Sequence, residues 1–253
     1  MSGELASLVA LSRTLGEPDR RLAILAEGNT SLRVGGGRML VKASGASLAC
    51  AQASDFVELE VADLLALLDD PAAGDDAVAA AFAGIEAARG RRPSVEAMLH
   101  AVCLDLGGAG AVGHTHPEPV LSLLCTEHGE RLATDALFPD QVVVLGRHPL
   151  YVGYVDPGLA LARRVRDDLR AHVTRHGEPP RVIYLGNHGL FALGRDPAHV
   201  LQLTDMAVKA ARVLTGALAA GALRTLGGAE ADRIDGRPDE HYRRRALAGG
   251  RDA

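Results

Sequence analysis

The run GNTSLRVGGGRMLVKASG at residues 28–45 decides how the sheet must begin. Residues 31–34 and 38–42 are strand-forming and flank Gly35, Gly36 and Gly37, and glycine accepts the positive φ that a tight turn demands. An antiparallel hairpin is expected there.

Working outward, residues 56–61 continue the strand pattern, and helical periodicity follows over 62–68 and 75–89, with Pro71 and Gly74 between them and Gly90 closing the second. A helix over 94–106 would place Val95, Met98, Leu99 and Val102 on one face, with Gly107 and Gly108 ending it. Further strands are expected at 111–115, 141–145, 181–185 and 189–193, and helices at 117–125, 157–175 and 197–220, each opened by a proline. The first residues read as an amphipathic helix without the layout of a signal peptide. Strand–helix alternation by itself favours a parallel α/β sheet, although the glycine hairpin requires some antiparallel pairing.

The chain has 253 residues, 47% of them hydrophobic and 23% charged, which suits one globular core and excludes disorder and fibrous repeats. A net charge of -5, 3% aromatic residues and no Trp argue against nucleic acid as a partner. There is no apolar run of membrane-spanning length, so the bilayer is not a partner either, and a cytoplasmic location is expected. Cys50, Cys103 and Cys125 lack metal or disulfide spacing and read as buried reduced thiols. The end of the chain, with Gly227, Gly228, Gly236 and Pro238, reads as loosely ordered.

The chemistry concentrates in His114-Thr115-His116, because alternate residues of a strand face the same way and two imidazoles at that spacing can hold one ion. The alternative is a pair of histidines on a polar strand end. His188, in the turn-like Gly186-Asn187-His188-Gly189, is a third imidazole that could be presented into a cleft. Three neutral imidazoles leave an open zinc position. Glu96 follows Pro93 and Ser94 in the first turn of a helix, where a carboxylate suits the helix dipole or could serve as ligand and base. The turns at 28–31 and 42–45 could cradle a phosphate on backbone N–H groups and small hydroxyls, or be bare turns. His100 is expected to pack in the core, and His128, His148, His172, His176 and His199, without companion spacing, to lie on the surface or in loops.

Taken jointly, GNTS at 28–31, KASG at 42–45, PSVEAMLH at 93–100, HTHP at 114–117 and GNHG at 186–189 resemble the class II aldolase and adducin head-domain family over roughly residues 5–220. That family includes fuculose-phosphate and rhamnulose-phosphate aldolases and ribulose-phosphate 4-epimerase. The resemblance implies a three-layer α/β/α single domain over 1–225 with a mostly antiparallel sheet, replacing the parallel expectation. It also implies a cyclic homotetramer with sites at subunit boundaries, and a tail over 226–253 whose Tyr242 could reach a neighbour's site. By the same resemblance His114, His116 and His188 bind one zinc per subunit, and Glu96 is the fourth ligand and the proton-transfer residue. Gly28, Asn29, Ser44, Gly45 and Ser94 would surround a substrate phosphate. Aldolases of the family place two serines before the acid, whereas here Val95 follows Ser94.

The implied reaction is reversible retro-aldol cleavage of a ketose, a sugar 1-phosphate, to dihydroxyacetone phosphate and an aldehyde. A 4-epimerase would use an Asp about two dozen residues beyond the histidine pair, and Asp140 lies near that place. A decarboxylase on the same zinc site and a non-catalytic adducin-like module are the other readings. Residues 45–49, Gly45-Ala46-Ser47-Leu48-Ala49, approximate a serine-hydrolase elbow but lack its closing glycine.

Overall fold

The structure is a computed structural model and describes residues 3–237, so Tyr242 lies outside the described residues. The hairpin forms as expected. Strand β1 (Asn29–Val34) pairs antiparallel with β2 (Arg38–Lys42), Val34 opposite Arg38, and Gly36 and Gly37 turn the chain at φ 75° and 78°. With β3 (Phe56–Glu60), β4 (Ala111–Thr115), β5 (Leu150–Val152), β6 (Val182–Leu185) and β7 (Gly189–Gly194) they build one seven-stranded sheet in the order β3-β2-β1-β4-β7-β6-β5. Only the β5–β6 pair is parallel, and the other five are antiparallel. Alternation misleads because the helices after β3 return the chain to the middle of the sheet, where β4 enters antiparallel to β1.

Helices cover both faces. Period-two alternation sends Ile183 and Leu185 of β6 to one core, with α2 (Val61–Asp69), α3 (Asp75–Arg89), α4 (Ala97–Asp105) and α8 (Leu159–His176). Val182 and Tyr184 go to the other, with α1 (Gly3–Leu15), α5 (Glu118–Leu124) and α9 (Pro197–Ala220). The result is a three-layer α/β/α domain. Helix α4 is buried on every side from Ala97 to Leu104, so it carries no single apolar face. It starts three residues later than expected, leaving Val95 53% exposed ahead of it.

Two short helices, α6 (Arg131–Thr134) and α7 (Pro139–Leu145), follow α5. The second corrects the strand expected at 141–145, and β5 is the strand of this region instead. The β-branched run Val142-Val143-Val144 favours a strand, but Pro139 sets helical φ at the first turn and packing completes the choice. Val142 and Val143 face Ala231 and Ile234 of α10 (Gly228–Asp235), while Leu145 faces the main core. The looseness expected from residue 226 onward does not hold for α10, which is docked there and tied by Arg147 Nε to Asp232 at 2.7 Å. Of the cysteines only Cys103 is buried, since Cys50 and Cys125 are exposed. Among the described residues no helix is long and apolar enough to cross a membrane.

Candidate active site

Strand β4 places His114 between Asn29 of β1 and Phe191 of β7, and His116 follows on the same face just past the strand end. His188 arrives from the β6–β7 turn, where Asn187, at φ 53°, takes the left-handed conformation. The three imidazoles offer nitrogen atoms all within 4.8 Å of one another. Their rings stand steeply to each other, at 71°, 82° and 61°, with centroids 4.7–5.3 Å apart, so their edges converge. His114 Nδ1 lies 3.0 Å from the carbonyl of Leu190; donating its proton there leaves the Nε2 lone pair facing His116 Nε2, 3.0 Å away.

Glu96 is the residue before α4, and its side chain leaves the helix end to meet the histidines. Oε2 lies 3.3 Å from His114 Nε2 and Oε1 3.1 Å from His188 Nε2. Asn29 Nδ2 donates to Oε2, and Ser94 Oγ accepts from the Glu96 N–H at 3.3 Å. Burial pushes the Glu96 carboxyl up, but His114 and His188 outweigh it and hold the group well below the usual carboxylate range. Burial, with His114 and His188 beside it, lowers the His116 imidazole to about 3, keeping the neutral form that a metal requires. Asn29 Oδ1 and His188 Nδ1 are buried without a hydrogen-bond partner, and Glu96 Oε1 has only the His188 Nε2 beside it. Convergent imidazole nitrogens beside such a carboxylate oxygen fit a divalent cation, and zinc accepts this donor set.

The expected phosphate turns are stitched to this centre. Ala43 bridges Pro93, Ser44 N–H donates to the Arg92 carbonyl at 2.9 Å, and Ser94 N–H donates to the Lys42 carbonyl at 3.2 Å. Ser44 and Gly45 are exposed beside buried Ser94, and Asn29 joins the 28–31 turn to Glu96. Gly28, at φ 68°, lies so close to His114 that a Cβ there would stand 2.7 Å from its carbonyl oxygen. At Gly189 a Cβ would stand 2.6 Å from His116 Cδ2.

Sequence reasoning missed Glu27, whose Oε2 lies 3.5 Å from His116 Nδ1 and can orient that ring from outside the cluster. It also gave no role to Lys42 or to the buried Ser31 hydroxyl, 2.7 Å from His100 Nδ1. A polar residue in the loop before the GNTS turn was the available signal for Glu27. Asp140 sits in the first turn of α7. His100 is wholly buried, as expected. His172 is buried too, and it stands four residues before His176 on α8, a companion spacing after all. His176 stacks on His148 at 4.0 Å and 21°, and stacked rings do not aim their nitrogens at one point.

A family model described as Class II Aldolase and Adducin N-terminal domain matches residues 6–215, and the chain belongs to that family. The uncharacterized oxidoreductase YuxG of Bacillus subtilis (strain 168) is 28% identical over 206 residues, which are 78% of this chain and 27% of that protein. The chain thus spans about a quarter of that relative's length. An L-fuculose 1-phosphate aldolase superposes with a TM-score of 0.69 at 18% identity, over 93% of this chain and 95% of its own. YgbL from Klebsiella pneumoniae, whose description leaves aldolase, epimerase and decarboxylase open, superposes at 0.67 with 22% identity, over 91% and 97%. At these identities the two structures establish the fold alone.

Proposed function

We propose that the protein is a zinc-dependent class II aldolase that reversibly cleaves a ketose 1-phosphate to dihydroxyacetone phosphate and an aldehyde. The observation that carries this reading is the convergence of His114, His116 and His188 on Glu96, beside the turns at 28–31 and 42–45. The three histidines would hold one ion per subunit, with Glu96 as a fourth ligand at rest. A bound zinc ion supplies a Lewis acid that polarises a ketose carbonyl and offsets the negative charge left when the carbon–carbon bond breaks.

The remaining work falls to the chain. Glu96 moves the proton at the carbon of dihydroxyacetone phosphate that attacks the aldehyde, and Asn29 holds the carboxylate for that transfer through its Nδ2 donor. Gly28, Asn29, Ser44, Gly45 and Ser94 bind the phosphate, fixing the ketose over the histidines. Val95 contributes no hydroxyl there, so the phosphate receives one contact fewer than in aldolases with two serines. We further propose a cytoplasmic homotetramer in which the segment beyond α10 brings Tyr242 to a neighbouring site as a proton donor.

Zinc analysis of the untagged protein, paired with a cleavage assay over a panel of ketose 1-phosphates, tests the reading. One zinc per chain and release of dihydroxyacetone phosphate that a chelator abolishes are expected. Zinc with no cleavage of any ketose 1-phosphate would overturn it in favour of epimerase or decarboxylase chemistry, and absence of metal in favour of an interaction module.

A further inference from the structure

Polar side chains alternate along β1: Asn29, Ser31 and Arg33 share one face, while Thr30 and Leu32 turn to the other, where Thr30 Oγ1 meets Ser12 Oγ of α1 at 2.6 Å. Each of the first three meets α4 or the residue that heads it. Asn29 Nδ2 donates to Glu96 Oε2, Ser31 Oγ lies 2.7 Å from His100 Nδ1, and Arg33 donates to the Leu104 carbonyl. Two residues of strand advance about 6.7 Å and four residues of helix about 6 Å, so positions 29, 31 and 33 meet 96, 100 and 104 in step. The result is a three-rung polar ladder between a strand and a helix that are far apart in the chain.

The middle rung has a cost. Ser31 and His100 are wholly buried, and His100 Nε2 has no hydrogen-bond partner, a desolvation penalty that an apolar side chain would avoid. The rest of α4 from Ala97 to Leu104 is apolar and buried on every side, and apolar contacts are non-directional, so hydrogen-bonded pairs are what fix the helix along its axis. Glu96 heads that helix, its carbonyl accepting the His100 N–H at 3.1 Å. An axial slip of α4 would carry the carboxylate away from His114 and His188, which it meets at 3.3 and 3.1 Å. The His100 ring also stands 5.4 Å from that of Phe191, which stacks on His114 at 4.2 Å, so the same rung backs a second member of the cluster.

We propose that Ser31 and His100 are a positioning pair, the middle rung that sets how deeply Glu96 reaches among the metal-binding histidines. Neither is a metal ligand in this arrangement, and both act through Glu96. The inference rests on the metal-site reading of His114, His116 and His188 for its first readout, while the ladder is defined by the contacts of β1 with α4 alone.

Zinc affinity, measured by competition against a chelator, tests the pair. His100→Phe removes the rung but keeps a ring in its place, and Ser31→Ala removes it from the other side. Each is expected to bind zinc about 10- to 100-fold more weakly than the wild type, and the double variant no more weakly than either one. In a Glu96→Gln background the same substitutions should change zinc affinity less than about threefold, because the carboxylate they position is gone. His100→Asn, whose amide can occupy the Nδ1 position, should restore most of the affinity. The thermal midpoint of His100→Phe should meanwhile hold or rise, since the orphaned nitrogen is removed, a direction that a merely structural role would not give. Should His100→Phe not fold, Ser31→Ala, which deletes one hydroxyl, carries the comparison. Zinc affinity unchanged in Ser31→Ala, or a loss of equal size with Glu96→Gln, overturns the inference. Should the wild type bind no zinc, the metal reading falls and amide exchange in chelator-treated protein decides the pair. Ser31→Ala is then expected to speed exchange along α4 about tenfold and leave α9 unchanged, and equal exchange along α4 overturns the inference.

Discussion

Glu96 stands where one carboxylate can be shared between two histidines and an asparagine. Glu96→Gln keeps the volume and the hydrogen-bonding reach but cannot carry the proton, so the fold should survive while cleavage falls by about a thousandfold or more. Circular dichroism with a cleavage assay checks this, and full activity would remove the base role. Gly189 makes a steric prediction: a methyl there meets His116 Cδ2 at 2.6 Å, so Gly189→Ala should displace that ring and lower zinc affinity about tenfold or more. Competition against a zinc chelator measures it. Much of this centre is legible in the sequence, since a histidine pair two apart on a strand dictates its own geometry. Glu27 is not legible, because a loop residue gains its meaning only when a distant segment arrives beside it.

At the scale of elements, the glycine hairpin is readable because its turn chemistry is local and its register follows from the turn. Helix α7 is unreadable for the opposite reason. Its valines prefer strands by propensity, and contact with α9 and α10, both much later in the chain, is what gives them helical partners. That contact can be tested at its edge. Ile234→Ala removes most of a side chain packed on Val142 and Val143, and should destabilise the protein by roughly 2 kcal/mol in chemical denaturation. No change in midpoint would mean that α10 is not docked as described.

For the whole molecule, sheet direction is set by where the chain re-enters the sheet, which no local pattern encodes. The burial this creates has a pH consequence. Burial, with His114 and Lys42 adding to it, pulls the wholly buried His100 to about 3. Its folded pKa thus lies below the unfolded value near 6.5, so the unfolded chain binds the proton first. The stability from a neutral His100 is fully present above about pH 6.5 and is lost as pH falls from there towards about 3. The thermal midpoint of chelator-treated protein should therefore decline as pH falls below about 6.5, whereas a level profile from there down to pH 5 would contradict a buried neutral imidazole.

On the proposed reading Glu96, beside a metal held by His114, His116 and His188, moves a proton at the nucleophilic carbon of dihydroxyacetone phosphate. Its most direct test is NMR of dihydroxyacetone phosphate incubated with the protein in heavy water, with no aldehyde present. One deuterium entering stereospecifically, abolished by a chelator and by Glu96→Gln, is the predicted result; no exchange by the zinc-loaded wild-type protein would contradict the claim.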